Sequence, residues 1–155
     1  MAERVGLDYQ DLLKDNPSLV MVSSSGVGRT GPDSGRRAYG KAIHAFSGHT
    51  HLTAWPGTPP RGLGGTWTDP TTGMITALAI LAGLIYSRRP GESVPFDLSM
   101  TECTISLMAD AFLDYFDGSE PAPVGNRDTH DAPHNSFLCA DGWIGIACHT
   151  ETEWQ

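Results

Sequence analysis

Asp69 is the residue in this sequence best placed for covalent chemistry. It closes the stretch Gly64-Gly65-Thr66-Trp67-Thr68-Asp69 and is followed by Pro70-Thr71-Thr72-Gly73, which opens an apolar helix. A carboxylate at a helix start has an ordinary use: it caps the free N–H groups of the first turn, and Pro70 at the first helical position suits that arrangement. The same geometry serves a nucleophile. A carboxylate fixed at the start of an apolar helix, partly desolvated and beside the positive end of the dipole, can attack an activated acyl carbon. The paired glycines leave room for a ligand to approach the backbone. Local sequence alone leaves both roles open.

Two other patterns suggest chemistry and lose it on inspection. Gly26-Val27-Gly28-Arg29-Thr30-Gly31 follows an apolar run and has dinucleotide-fingerprint spacing. It then enters Pro32-Asp33-Ser34-Gly35, which is turn chemistry rather than a helix, and no acidic residue stands where a ribose hydroxyl would need one. It reads as a glycine-rich turn or a backbone-lined loop beside another ligand. His49 and His51, and His130 and His134 with Cys139 nearby, have ligand-like spacings. The second pair falls in a Pro/Asp-rich loop and no HExxH pattern accompanies either, so no metal site is expected.

These residues need elements to position them. A short helix is expected over 8–15, with Leu12 and Leu13 on its apolar edge and Asn16-Pro17 at its end. Leu19-Val20-Met21-Val22 suits a buried strand. Residues 23–35 read as loop, and 37–46 as a helix with Tyr39, Ile43 and Phe46 on one face. Residues 49–66, rich in proline and glycine, read as loop or edge structure. The stretch 73–87 is apolar nearly all round, which predicts a helix buried on most faces, with Arg88 and Arg89 at its C-terminus and Pro90-Gly91 as its stop. Val94, Phe96 and Leu98 alternate in a short edge strand. Ser99-Met100-Thr101-Glu102 is a capping-box pattern opening a helix to about Phe116. Residues 117–124 read as a linker. Beyond it, Ala140-Asp141-Gly142 joins two strands as a hairpin.

Composition narrows the class. The 155 residues suffice for one ordinary domain. Apolar residues make up 39% and charged residues 18%, which excludes a low-hydrophobicity disordered segment. Lys and Arg number 10 against 18 Asp and Glu, a net charge of −8. Such a surface is poorly suited to nucleic acid or to anionic membranes. Cys103, Cys139 and Cys148 form no disulfide or zinc pattern, so a reducing cytoplasm is expected. The N-terminus has no apolar stretch of a signal peptide. The apolar run 74–86 falls short of the roughly 20 residues a bilayer span needs.

The order of segments along nearly the whole chain resembles the class III CoA-transferase family, of the formyl-CoA transferase and carnitine CoA-transferase type. The similarity runs through Gly6-Leu7-Asp8-Tyr9, Asn16-Pro17-Ser18-Leu19-Val20 and Ser25-Gly26-Val27-Gly28-Arg29-Thr30-Gly31-Pro32. It continues through Pro59-Pro60, Gly64-Gly65 and Asp69, then Ala77 to Leu84 with Arg89-Pro90-Gly91-Glu92. It ends with Phe96-Asp97-Leu98-Ser99-Met100, Gly125-Asn126, Ala132-Pro133-His134 and Asp141-Gly142-Trp143-Ile144. The resemblance implies an α/β fold: an incomplete Rossmann-like large domain over 1–116, the linker 117–124, and the first hairpin of a small domain over 125–155. It implies an enzyme that moves CoA between an acyl-CoA thioester and a small carboxylic acid, with no permanently bound cofactor. Asp69 would carry an acyl anhydride and then a CoA thioester.

Other site residues follow from the same resemblance. Gly26, Gly28, Arg37, Tyr39, Gly64 and Gly65 would border CoA or the reacting groups. Arg37 would meet a CoA phosphate, or else be a solvent-facing helix charge. Tyr39 would border the active site, or else belong to the helix core. Gly64 and Gly65 would offer backbone N–H groups to developing oxyanions. Residues 128–131 match a mobile loop over the nucleophile, without its glycines. Gly40 stands where many relatives carry an acidic residue. Relatives that racemise 2-methylacyl-CoA thioesters carry a His at the position of Tyr39, and Tyr favours transfer over that proton chemistry. The family forms an interlocked homodimer and its members are longer. The 155-residue chain is therefore expected to be a central piece, weakly stable or self-associating by itself.

Overall fold

The computed structural model describes residues 3–89, 92–128 and 130–155. The chain is a mixed α/β structure of short strands and packed helices. After a 3₁₀ turn (Glu3–Val5), helix α1 (Tyr9–Asp15) starts where the Asp8 carboxylate accepts the Gln10 N–H at 3.0 Å. It ends where the Asn16 N–H reaches the Leu12 carbonyl. Its Tyr9 hydroxyl donates to Ser93 Oγ at 2.8 Å, and Ser93 in turn donates to the Leu19 carbonyl, tying α1 to both strands that follow.

Strands β1 (Val20–Ser25) and β2 (Val94–Ser99) pair in parallel, from Val20 opposite Val94 to Ser25 opposite Ser99. Parallel strands need a long crossover. Here it holds α2 (Gly40–Phe46), α3 (His49–Leu52) and α4 (Thr68–Tyr86). Helix α4 lies against the pair at Gly83, where a Cβ would stand 2.7 Å from Val20 Cγ1 and 2.9 Å from Phe96 Cε2. Only glycine allows so close an approach. Helices α5 (Met100–Ile105) and α6 (Ala109–Phe116) follow β2. Strands β3 (His134–Leu138) and β4 (Trp143–Ala147) form an antiparallel hairpin, and α7 (Glu151–Trp154) follows it.

Several expectations need correction. Helix α2 begins at Gly40 rather than residue 37, so Arg37 and Tyr39 lie in extended backbone ahead of it. The region 49–66 contains α3, which begins after Gly48 turns the chain with φ of +85°. Helix α4 starts at Thr68, ahead of the anticipated residue 73. Pro70 does not prevent this, because the first turn's N–H groups have no intrahelical partner to lose. The 19-residue helix that results is long and apolar enough to cross a membrane by length and composition, unlike the 74–86 run alone. Its packed Gly83 and its buried, polar first turn place it instead against the strands and α5.

The helix anticipated from Ser99 to Phe116 is broken. Ser99 Oγ does accept the Glu102 N–H, at 3.2 Å. The hydroxyls of Thr104 and Ser106 then bond back to the Met100 and Cys103 carbonyls, and the chain leaves α5 at Ser106 and starts α6 after Met108. The largest correction concerns burial. The apolar stripe of α4 was expected inside, yet Met74, Leu78, Leu81 and Ile85 are all exposed. The expected stop at Pro90-Gly91 lies outside the described residues, as does Thr129.

Candidate active site

Asp69 occupies the second position of α4 and is exposed. The residue before the helix, Trp67, offers no side-chain cap. Asp69 is thus neither the N-cap nor desolvated, the two properties its local sequence suggested. Its carboxylate is therefore spared from capping. Beneath it, Thr68, Thr71 and Thr72 are buried together with Thr101, Cys103 and Thr104 of α5. A threonine floor of this kind locks the first turn of α4. The hydroxyls of Thr68 and Thr72 find no partner there. Burial pushes the Cys103 thiol up, which makes it a neutral packing group.

The start of α2 meets this turn at Gly40. A Cβ there would lie 2.9 Å from Thr66 Cγ2 and 3.1 Å from Thr68 Oγ1. An acidic side chain has no room at Gly40 in this arrangement. Tyr39 precedes it as the N-cap residue of α2 and is 77% exposed, so it belongs to no helix core. Arg37 is also exposed and has no ion-pair partner among the described residues. Its neighbour Arg36 is held by Asp33 at 2.9 Å and stacks over Phe46, which anchors the extended stretch.

Gly26 continues the chain of contacts. A Cβ on it would stand 2.6 Å from Ala38 Cβ, so the glycine loop and the stretch bearing Arg37 and Tyr39 touch directly. Its carbonyl accepts both the N–H and the hydroxyl of Thr101. Gly28 is buried with φ of +85° beside Ser99, and Arg29 N–H donates to Asp97 at 2.9 Å. Both glycines thus have a packing role at the carboxyl end of the parallel strands, the edge where open α/β sheets bind ligands. Gly64 and Gly65 lie exposed beside the Asp69 turn, and nothing stands within 4 Å of a Cβ placed on Gly64.

The histidines divide into separate groups. His44 is buried on α2 and meets His49 edge to face at 5.5 Å. Burial, helped by His44, holds the His49 imidazole below its ordinary pKa. His134 Nδ1 lies 3.1 Å from the Asn126 carbonyl, and His149 pairs with Asp131. Among the described residues no group of three or more His, Cys, Asp or Glu could hold a metal ion. In the loop 128–131, the Asp128 carboxylate accepts the N–H groups of His130 and Asp131. Through Asp131 and His149 this loop is tied to the chain that leaves the hairpin.

Gly26 thus packs on Ala38 and Gly40 on the side chains of Thr66 and Thr68, so the segments that carry Arg37, Tyr39 and Asp69 lie against one another. Sequence reasoning passed over Thr66, which packs on Gly40. The signal for it was Gly40, a glycine at a helix start with no turn to explain it.

Comparison with known proteins bears on the family and the fold. The model of CoA-transferase family III matches residues 1–155. The acetyl-CoA:oxalate CoA-transferase of Acetobacter aceti is 34% identical, over 94% of this chain and 38% of its own. The succinate–glutarate CoA-transferase of Agrobacterium fabrum is 29% identical, over 98% of this chain and 38% of its own. A CAIB/BAIF family protein from Brucella suis superposes with a TM-score of 0.86 at 32% identity, covering 95% of this chain and 39% of that one. The chain spans about 38% of the length of the curated relatives it matches.

Proposed function

We propose, starting from a chain that belongs to CoA-transferase family III, that Asp69 is the nucleophile of a CoA transfer between an acyl-CoA and a carboxylic acid. The observation that carries this reading is the exposed, uncapped Asp69 in the locked first turn of α4. Its carboxylate attacks the thioester carbonyl of the donor and expels CoA as thiolate, which leaves a mixed anhydride of Asp69 and the donor acid. The thiolate then attacks the aspartyl carbonyl, which releases the donor acid and leaves CoA on Asp69 as a thioester. The acceptor carboxylate attacks that thioester and expels CoA thiolate. Attack of the thiolate on the acceptor's acyl carbon yields the new acyl-CoA and regenerates Asp69. Splitting one difficult exchange into such covalent steps is what an activated carboxylate offers.

The surrounding residues take supporting roles. The open backbone at Gly64 and Gly65 donates N–H groups to the developing oxyanions. Exposed Arg37 meets a phosphate of CoA, and Tyr39 borders the reacting groups. Gly26 and Gly28 keep the neighbouring loop close to that wall. The relatives named above are named for oxalate, succinate and glutarate, and a small carboxylic acid is the substrate class taken from them. The same reading places residues 1–116 in a large α/β domain, 117–124 in a linker and 125–155 in a small domain. It places the whole protein in the cytoplasm as a homodimer.

Hydroxylamine tests the proposal. Added with an acyl-CoA to the whole protein, it is expected to leave a hydroxamate on Asp69, located by mass spectrometry. Asp69→Ala is expected to lose the adduct and at least about 10³-fold in turnover. An active Asp69→Ala protein rejects the assignment.

A further inference from the structure

Helix α5 packs on α4, and from its first turn it also holds the glycine loop. The Gly26 carbonyl accepts the Thr101 N–H at 3.0 Å and the Thr101 hydroxyl at 2.8 Å. The N–H of a first-turn residue has no acceptor within its own helix, and here the loop carbonyl supplies one. The hydroxyl adds a second restraint on the same carbonyl, from a buried side chain. Gly26 in turn presses on Ala38, whose Cβ would lie 2.6 Å from a Cβ on the glycine. Ala38 stands between Arg37 and Tyr39. The N–H groups of residues 37–39 join no backbone hydrogen bond among the described residues. Neither a strand ladder nor a helix orders this stretch. Contacts do: Ala38 on Gly26, and Arg36 held by Asp33 and Phe46 just before it.

We infer that Thr101 is a positioning residue for CoA: its hydroxyl holds the Gly26 loop against Ala38 and so keeps Arg37 and Tyr39 in place to receive the coenzyme. The inference rests on the reading of Arg37 and Tyr39 as the border of CoA. Thr101 touches no substrate. It acts through the Gly26 carbonyl and the contact of Gly26 with Ala38. When the hydroxyl is removed, the Thr101 N–H still bonds Gly26, so the fold survives and the loop loses one of two restraints. Asp69 keeps its own support, Gly40 packed on Thr66 and Thr68. The quantity that changes is therefore affinity for CoA.

The test titrates the full-length protein calorimetrically with CoA itself. Thr101→Val keeps the shape of the side chain and removes the hydroxyl. It is expected to weaken CoA binding about fivefold, the worth of one ordinary hydrogen bond. Thr101→Ser keeps the hydroxyl and is expected to restore the affinity. Ser106→Ala removes another hydroxyl of the same region, one that bonds the Cys103 carbonyl at 2.8 Å. It is expected to lower the melting temperature and leave CoA affinity unchanged, which separates positioning from plain loss of stability. Unchanged affinity in Thr101→Val overturns the inference. So does a Thr101→Ser protein as weak as Thr101→Val, or equal weakening by Ser106→Ala. An unaltered protein that binds no CoA removes the reading of Arg37 and Tyr39, and the inference with it. Hydroxylamine trapping on the same preparation tests Asp69 separately. Affinity that depends on Thr101, in a protein whose Asp69 forms no hydroxamate, removes the nucleophile and keeps the positioning role.

Discussion

The two ends of α4 invert the usual relation between polarity and burial. Its first turn is polar and buried: Thr68, Thr71 and Thr72 are at most 5% exposed. The rest is apolar and open, with Met74 at 69% and Leu78 at 67%. Hydrophobic burial cannot be what orders the first end. Close packing does it, through Gly40 against Thr66 and Thr68 and through α5 beneath. Toward the second end the closest approach is Gly83 on Val20 and Phe96. The difference teaches that close contacts of small residues order the site end of the helix, whereas the apolar stripe stays open along most of its length.

Several experiments would break or sharpen that contrast. The largest effect on stability is expected from Gly83→Leu, which drives a side chain into Val20 and Phe96. It should cost about 3 kcal/mol, read as a lower urea midpoint. Gly40→Ala should cost about 1–2 kcal/mol. Because it displaces the Asp69 turn, it should lower turnover of the whole protein by roughly 10²-fold. A turnover loss no greater than the loss of stability explains would separate Gly40 from the site.

Leu78→Lys probes the other end. In the 155-residue chain its cost should stay within about 0.5 kcal/mol, and sedimentation should show less self-association. In the whole protein the same change is expected to cost about 3 kcal/mol, the result that a covered stripe would give. Equal costs in both settings would mean that the stripe is never covered.

The smallest effects are in pH, and they have opposite signs in two places. The Asp131 carboxylate raises the His149 pKa by a hydrogen bond and by its charge. That pair's contribution is full below the unfolded value of about 6.5 and is lost as pH rises through the folded value. His49 is lowered, by burial first and His44 second. Its corner is at full stability above about pH 6.5 and loses stability as pH falls through the folded value. Hydrogen exchange should therefore show α2 and α3 loosening on acidification, and the Cys148–Thr150 amides loosening as pH rises. Loosening of both regions in one direction would contradict these assignments.

Much of the architecture was legible because its signals are local. Asp8 and the alternation of Val94, Phe96 and Leu98 act on their own neighbours, and their elements formed as expected; Ser99 caps the start of α5, though that helix ends early. The break between α5 and α6 was hidden because Ser106 acts through a hydroxyl that leaves the apolar period unchanged. Helix α3 was hidden because it depends on the backbone turn at Gly48. For the site, Asp69 and the paired glycines stood out by their position before an apolar helix. The surroundings did not, because Gly40 on Thr66 and Gly26 on Ala38 are long-range contacts of small residues. Spacing along a chain carries no sign of them. The exposure of Tyr39 was missed for the same reason. Its spacing to Ile43 and Phe46 implied a helix that begins only after it.

The most direct test of Asp69 follows oxygen through a turnover. The whole protein is given an acyl-CoA and an acceptor acid labelled with heavy oxygen in its carboxylate, and the Asp69 peptide is then weighed. In the steps above, the acceptor oxygen that bridges to the aspartyl carbonyl stays with Asp69 when CoA thiolate takes the acyl group. Heavy oxygen on Asp69 that accumulates with product is the predicted result. Labelled acyl-CoA formed while Asp69 keeps only ordinary oxygen would contradict the account.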